Sequence, residues 1–218
     1  MKYVVVDLEM CQVPKFSWDQ GKSLRNETIQ IGAVLVDENY EIASTFNTYV
    51  KPELGYLDYF ISKLTGITKE DLKDAPIFED AINSFMEWVP EDDVKCVSWS
   101  MSDMHQFKNE MAKKNIKNDK LAYLLESWID YQIPVDEKLG MERNVSLEEA
   151  LIATDIIQSG RAHDGLDDAY NTALLFVKME KNPDFELNKM YSYAKEEATR
   201  TLSYTMGDLF KGMMVGVG

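Results

Sequence analysis

The chain has 218 residues, 45% of them apolar and 28% charged, with a formal net charge of −15. This profile fits a folded domain with one ample core and room for a small appendage. No apolar run reaches the roughly 18 residues of a membrane span, and the acidic balance argues against a conventional nucleic-acid binder with a basic footprint.

Met1-Lys2 runs directly into an apolar stretch, so no signal peptide is expected. The first predicted strand covers 3–9. It delivers Asp7 and Glu9 at its end, two residues apart and therefore on one face. Buried uncompensated, two such charges would be costly, and a divalent cation is the natural compensator. The other possibility at this point is a solvated acidic loop. A polar loop follows through Gly21. Strands are predicted over 28–36 and 41–50, joined by a hairpin turn at Asp37-Glu38-Asn39 and closed by Lys51-Pro52.

A loop carrying Leu64-Thr65-Gly66-Ile67-Thr68 comes next, and Pro76 is expected to open a helix to about Val89. A buried strand over 94–98 leads to an amphipathic helix over 103–114, with Met104, Phe107 and Met111 on one side. A helix near 119–127 and a short strand at 128–131 follow. Ser146-Leu147-Glu148-Glu149 is a capping signature for a short helix. The last well-marked helix is 164–181. Strands first as a meander, then alternating with helices, predict an α/β fold with a mixed sheet covered on both faces. Residues 1–182 are expected to form one domain. Residues 183–218 are expected to form a helical extension with a frayed, glycine-rich end. Cys11 and Cys96 are too few for a disulfide framework or a zinc knuckle, which points to a reduced, cytoplasmic protein.

Three acidic positions recur at strand ends or helix starts. The first is Asp7 with Glu9. The second is Asp103, which follows the 94–98 strand and could equally be an ordinary first-turn acid. The third is His163-Asp164-Gly165-Leu166-Asp167-Asp168, where Asp164 can cap and Asp167 and Asp168 can complement the helix dipole. His163 is one of two histidines and precedes the helix, where it can titrate near neutral pH beside an attacking water. His105 reads as a surface residue. Four carboxylates and a histidine meeting at one sheet edge would suit two hard cations about 3.5–4 Å apart, the apparatus of in-line displacement at phosphorus. Such an enzyme takes phosphate through metal and needs only a local positive field, so an acidic surface does not exclude it.

With these motifs in place, the sequence resembles the DEDDh group of 3′–5′ exonucleases in the ribonuclease H-like superfamily, and within it the ERI-like branch. Residues 4–9 resemble the first exonuclease motif, 27–34 the second strand and 64–68 the substrate-side loop. Ser98-Trp99 with Asp103 resembles the second motif and 163–168 the third. The resemblance implies a five-stranded ribonuclease H-like sheet: an antiparallel three-strand meander plus parallel strands, flanked by helices. It implies two Mg²⁺ or Mn²⁺ ions per site. In that scheme Asp7 bridges both ions, Glu9 and Asp168 hold the nucleophile-side ion, Asp103 holds the other, and His163 is the general base. Asp167 matches an acidic position that is not a ligand. Met10, Gly66 and Ile67 would line the terminal nucleotide's pocket. Met10-Cys11-Gln12 stands where many relatives carry threonine or small residues. The implied activity is release of nucleoside 5′-monophosphates from single-stranded RNA or DNA 3′ ends. A polymerase-associated proofreading nuclease, using 183–218 as a partner surface, and a non-catalytic interaction protein are the alternatives.

Overall fold

The structure is a computed structural model that describes residues 1–15, 24–91, 93–141, 143–188 and 191. Its centre is a five-stranded sheet in the order β3-β2-β1-β4-β5. Strand β1 (Lys2–Gln12) pairs antiparallel with β2 (Asn26–Val36), which pairs antiparallel with β3 (Ile42–Tyr49). The turn between β2 and β3 is locked by Asp37, whose carboxylate accepts the N–H groups of Asn39 and Glu41 at 2.9 and 2.8 Å. On its other side β1 runs parallel to β4 (Val94–Ser98), and β4 runs parallel to the two-residue β5 (Ile129–Asp130). The expected meander plus parallel strands is the observed sheet.

Both sheet faces are covered, because β1 and β2 are apolar on both sides. Val4, Val6, Leu8, Ile31 and Ala33 pack on α3 (Phe78–Trp88), α4 (Ser102–Lys114) and α5 (Asp119–Leu125), around Phe78, Phe85 and Phe107. Val5, Val34, Val36 and Val97 pack on α6 (Gln132–Leu139), α7 (Leu147–Ala153) and α8 (Gly165–Lys181), against Val135, Leu151, Ala169, Ala173 and Phe176. A third cluster (Cys11, Ile29, Leu57, Ile67, Leu72) lies under α1 (Tyr59–Thr65) and α2 (Lys69–Lys73). Both cysteines are free and buried. Among the described residues no helix is long and apolar enough to cross a membrane.

Several elements differ from the sequence expectation. The stretch 64–68 is not a plain loop: α1 and α2 flank it. Both helices are too short for periodicity to register and are announced only by caps. Asp58 accepts the N–H of Ile61, and Thr68 forms a capping box with Asp71. Helix α3 starts at Phe78 with Ile77 at its N-cap, because Pro76 is held in the loop by its carbonyl, which accepts the Lys51 N–H at 2.8 Å. Helix α6 carries Pro134 in its first turn, where a missing N–H costs nothing, and so escaped the sequence reading. Of the expected extension from 183 onward, residues 189–190 and 192–218 lie outside the described residues. The part that is described folds back on the domain. Phe185 is buried beneath the amines of Lys138 and Lys178, and Asn188 donates to the Ala153 carbonyl at 2.8 Å.

Candidate active site

Asp7 and Glu9 lie toward the end of β1, on the face covered by α8. Asp7 pairs with Gly32 and Glu9 with Gln30 across the β1–β2 ladder, and the register slips between Glu9 and Met10. The parallel pairing with β4 has already stopped at Val5–Val97. Beyond that point β1 and β4 part, and the Leu8 N–H loses a strand partner. Asp103, in the first turn of α4, takes it: its Oδ1 accepts the Leu8 N–H at 3.0 Å. Asp103 is buried and does not cap its own helix; the cap position is Met101, which makes no side-chain cap bond. The carboxylate is thereby delivered into the crevice where strands diverge, the usual ligand position in open α/β sheets.

Helix α8 brings the third acidic group. Asp164 caps it, accepting from Leu166 N and Asp167 N at 3.0 and 3.2 Å. Gln30, fully buried on β2, ties that helix start to the sheet. Its amide oxygen accepts the Gly165 N–H at 3.0 Å, and its NH₂ donates to Asp164 at 3.3 Å and to Asn47 at 3.1 Å. Gly32 and Gly165 let the two backbones touch. A Cβ built on Gly32 would lie 2.1 Å from the Gly165 carbonyl carbon, and one on Gly165 would lie 3.2 Å from the Asp7 carbonyl oxygen. Asp168, one turn along, then faces Asp7 and Glu9. Its Oδ2 accepts the N–H of His163 at 2.8 Å. His163 itself is exposed and adopts a left-handed backbone with φ 62°. Potential ligand atoms of Glu9, His163 and Asp168 lie within 4.8 Å of one another.

The electrostatics follow from this crowding. Asp7 is pushed well above the ordinary carboxylate range by burial and by the charges of Asp103, Glu9 and Asp168. Burial with repulsion from Asp168, Asp103 and Asp164 pushes Glu9 up to about 8, the Arg161 guanidinium opposing. Asp103 rises to about 7 through burial, resisted by the Leu8 N–H. Burial raises Asp168 too, while the His163 N–H and charge hold it back. The fold therefore gathers acids whose charges it does not neutralise. All donors of the cluster are hard oxygens with one imidazole beside them, which fits Mg²⁺ or Mn²⁺ and not a thiophilic metal.

The structure thus brings together Asp7, Glu9, Asp103, Asp168 and His163. The other three expected residues, named for the substrate side, stand outside that cluster of acids. Met10 is half-buried against the cluster of α3, α4 and α5. Gly66 ends α1 in a left-handed conformation, φ 74°. Ile67 is buried in the α1–α2 cluster, with its N–H donated to Thr65 Oγ1 and its carbonyl accepting from Ser62 Oγ, so its side chain is core. Sequence reasoning missed Gln30, Gly32 and Arg161. A polar residue and a glycine inside an otherwise apolar strand were the available signal for the first two.

Comparison with known proteins bears on family and fold. The model of the RNase T family, described as exonuclease, matches residues 4–176. ERI1 exoribonuclease 2 of Xenopus laevis is 31% identical over 201 residues, covering 81% of this chain and 28% of its own. The PolC-type DNA polymerase III of Caldanaerobacter subterraneus is 26% identical, covering 82% of this chain and 11% of its own. The chain thus spans roughly a quarter or less of these relatives' lengths. The nuclease domain of 3′hExo, a DEDDh family member bound to rAMP, shares the fold with a TM-score of 0.65 at 21% identity, over 86% of this chain and 96% of that one.

Proposed function

Starting from a chain that belongs to the RNase T exonuclease family, we propose that it is a divalent-cation-dependent 3′–5′ exonuclease acting on single-stranded RNA or DNA and releasing nucleoside 5′-monophosphates. The observation that carries this reading is the convergence of Asp7, Glu9, Asp103 and Asp168 beside His163, with each carboxyl pushed up by burial despite Arg161 near Glu9 and His163 near Asp168. Asp7, Glu9, Asp103 and Asp168 would hold two Mg²⁺ or Mn²⁺ ions. Bound there, such ions supply the positive charge that neutralises the phosphodiester and acidifies the attacking water.

The chain's own residues do the rest. His163 accepts the proton from the attacking water, and the bond from its N–H to Asp168 fixes where the imidazole stands relative to the acids. The Leu8 N–H holds Asp103 in the crevice between β1 and β4. The α1–Gly66 corner lies across from the His163 loop and offers the substrate-side wall. The single-stranded 3′ end is the substrate we favour, following the family resemblance, with the acids in the crevice where β1 and β4 part.

The test is direct. Purified protein with Mn²⁺ or Mg²⁺ is incubated with 5′-labelled single-stranded RNA and DNA oligomers. A descending ladder that stops when excess chelator is added supports the reading; cleavage of a circular substrate, or hydrolysis undiminished in chelator, overturns it. A proofreading role is the second reading, favoured by the similarity to PolC-type polymerase, and it would show as preference for a mismatched primer end. A protein partner, if that reading holds, would use residues 183–218.

A further inference from the structure

Arg161 stands two residues before His163, in a loop that turns through three left-handed residues. Asp155, Gly160 and His163 all have left-handed backbones, with φ of 52°, 65° and 62°. Outside glycine that conformation is uncommon, though aspartate and histidine tolerate it better than most. Most of the loop's anchors lead to α8. Ser159 exchanges two bonds with the Asn171 side chain at 2.8 and 2.9 Å. The Arg161 N–H donates to Asp167 at 2.7 Å, and the His163 N–H to Asp168 at 2.8 Å.

The Arg161 side chain leads elsewhere. Its Nη2 donates to the carbonyl oxygens of Lys63 and Leu64, at 2.8 and 3.0 Å, at the C-terminal end of α1. Those carbonyls lack helical partners, and a cation there also suits the helix dipole. Two glycines are cleared for this link. A Cβ on Gly66 would lie 1.6 Å from Arg161 Nη1, and one on Gly160 would lie 2.1 Å from the Asp167 carboxylate that holds the Arg161 N–H. Gly66 thus has a reason that owes nothing to substrate: it is the seat of the guanidinium.

We propose that Arg161 is a positioning residue, a tether from the His163 loop to the α1–Gly66 corner that fixes the two walls of the site relative to each other. This rests on the reading of His163 as the base. Both bonds leave the one Nη2 nitrogen, which carries two N–H groups, so the length of the arginine side chain and not its fork makes the link.

The experiment uses the full chain with Arg161→Met, Arg161→Lys, Gly66→Ala and the Arg161→Met/Gly66→Ala double variant. Amide hydrogen exchange of 160–164 and 63–66 is measured without substrate, Mn²⁺ affinity by calorimetry, and kcat and KM on a single-stranded oligomer. We expect faster exchange in both segments and unchanged Mn²⁺ affinity. We expect kcat to fall about 10–100-fold, the scale of a misplacement of about 1 Å, with KM nearly constant. Arg161→Lys should restore the link in part, since an ammonium can donate to both carbonyls but reaches less far, and the double variant should be no worse than the worse single variant, since both remove one link. Unchanged exchange in Arg161→Met would overturn the tether. So would a KM that rises at constant kcat, which would make Arg161 a substrate-phosphate contact. Should the wild type degrade neither RNA nor DNA, the proposed function fails, yet the exchange measurement still decides the tether.

Discussion

Gly32 of β2 and Gly165 of α8 meet backbone to backbone, with 2.1 Å between a Cβ built on the first and the carbonyl carbon of the second. Gly32 is also the ladder partner of Asp7, so this contact sets the depth at which α8 presents Asp168 to the acids of β1. Gly32→Ala should force α8 off the sheet. We expect a loss of about 1–3 kcal/mol by overpacking, a larger relative loss of activity, and weaker Mn²⁺ binding. Urea melts and calorimetry read both; full activity with native metal affinity would show that α8 tolerates the shift.

The acid cluster makes apo stability depend on pH in an unusual direction. A carboxyl whose folded pKa lies above its unfolded value keeps its proton where the unfolded chain has lost it, so stability falls as pH rises through that window. Glu9 at about 8 and Asp103 at about 7 set the window from the ordinary carboxylate range up to about pH 8. In chelator the protein should melt higher at pH 5.5 than at pH 8. Glu27 is shifted the opposite way and acts only at lower pH. Mn²⁺ should erase the difference. A chelated protein that is more stable at pH 8 contradicts the proposed crowding.

Asp7→Asn removes one charge from that cluster at constant size. It should be catalytically dead, at least as thermostable as wild type in chelator at pH 8, and should gain less melting temperature from Mn²⁺ than wild type gains. Paired thermal melts decide it: a variant melting well below wild type in chelator makes Asp7 a structural acid.

His163→Ala should lower kcat by roughly 10²–10⁴-fold, the usual worth of a general base. A ring nitrogen of the exposed imidazole and carboxylate oxygens of Glu9 and Asp168 lie within 4.8 Å of one another, so the geometry admits a ligand role too. Titration calorimetry separates the two. Unchanged Mn²⁺ affinity is expected, and lost affinity would transfer His163 to the ligand set.

Away from the site, Lys114 joins three carboxylates: Glu27 at 2.6 Å, Glu53 at 2.9 Å and Glu110 at 2.9 Å, of which Glu27 and Glu110 have fully buried side chains. Glu27 in turn accepts the N–H groups of Glu53, Leu54 and Gly55, fixing the chain between β3 and α1. Lys114→Met should cost about 3–5 kcal/mol, because it leaves two carboxylates buried without a cation. Adding Glu110→Gln should recover part of the loss in denaturant melts.

What the sequence determined by itself was what depends on neighbours along the chain. Alternation placed Asp7 and Glu9 on one face, period and caps marked α4, α7 and α8, and a meander followed by βα units predicted a mixed sheet covered on both faces. His163 stood out because it precedes a helix and has one histidine counterpart in the chain. The tertiary structure decided what depends on residues far apart. The bond from Leu8 N to Asp103 spans 95 positions, and the one from Gly165 N to Gln30 spans 135. No local pattern could say that Asp103 would serve a strand and not its own helix, or that Gly32 was small to admit α8. Gly66 and Ile67 show the same limit: adjacent in sequence, they became the seat of a guanidinium and a core side chain, because the turn after α1 points them apart. Propensity and period are properties of a segment, whereas a site is a set of distances between segments, and packing alone fixes those.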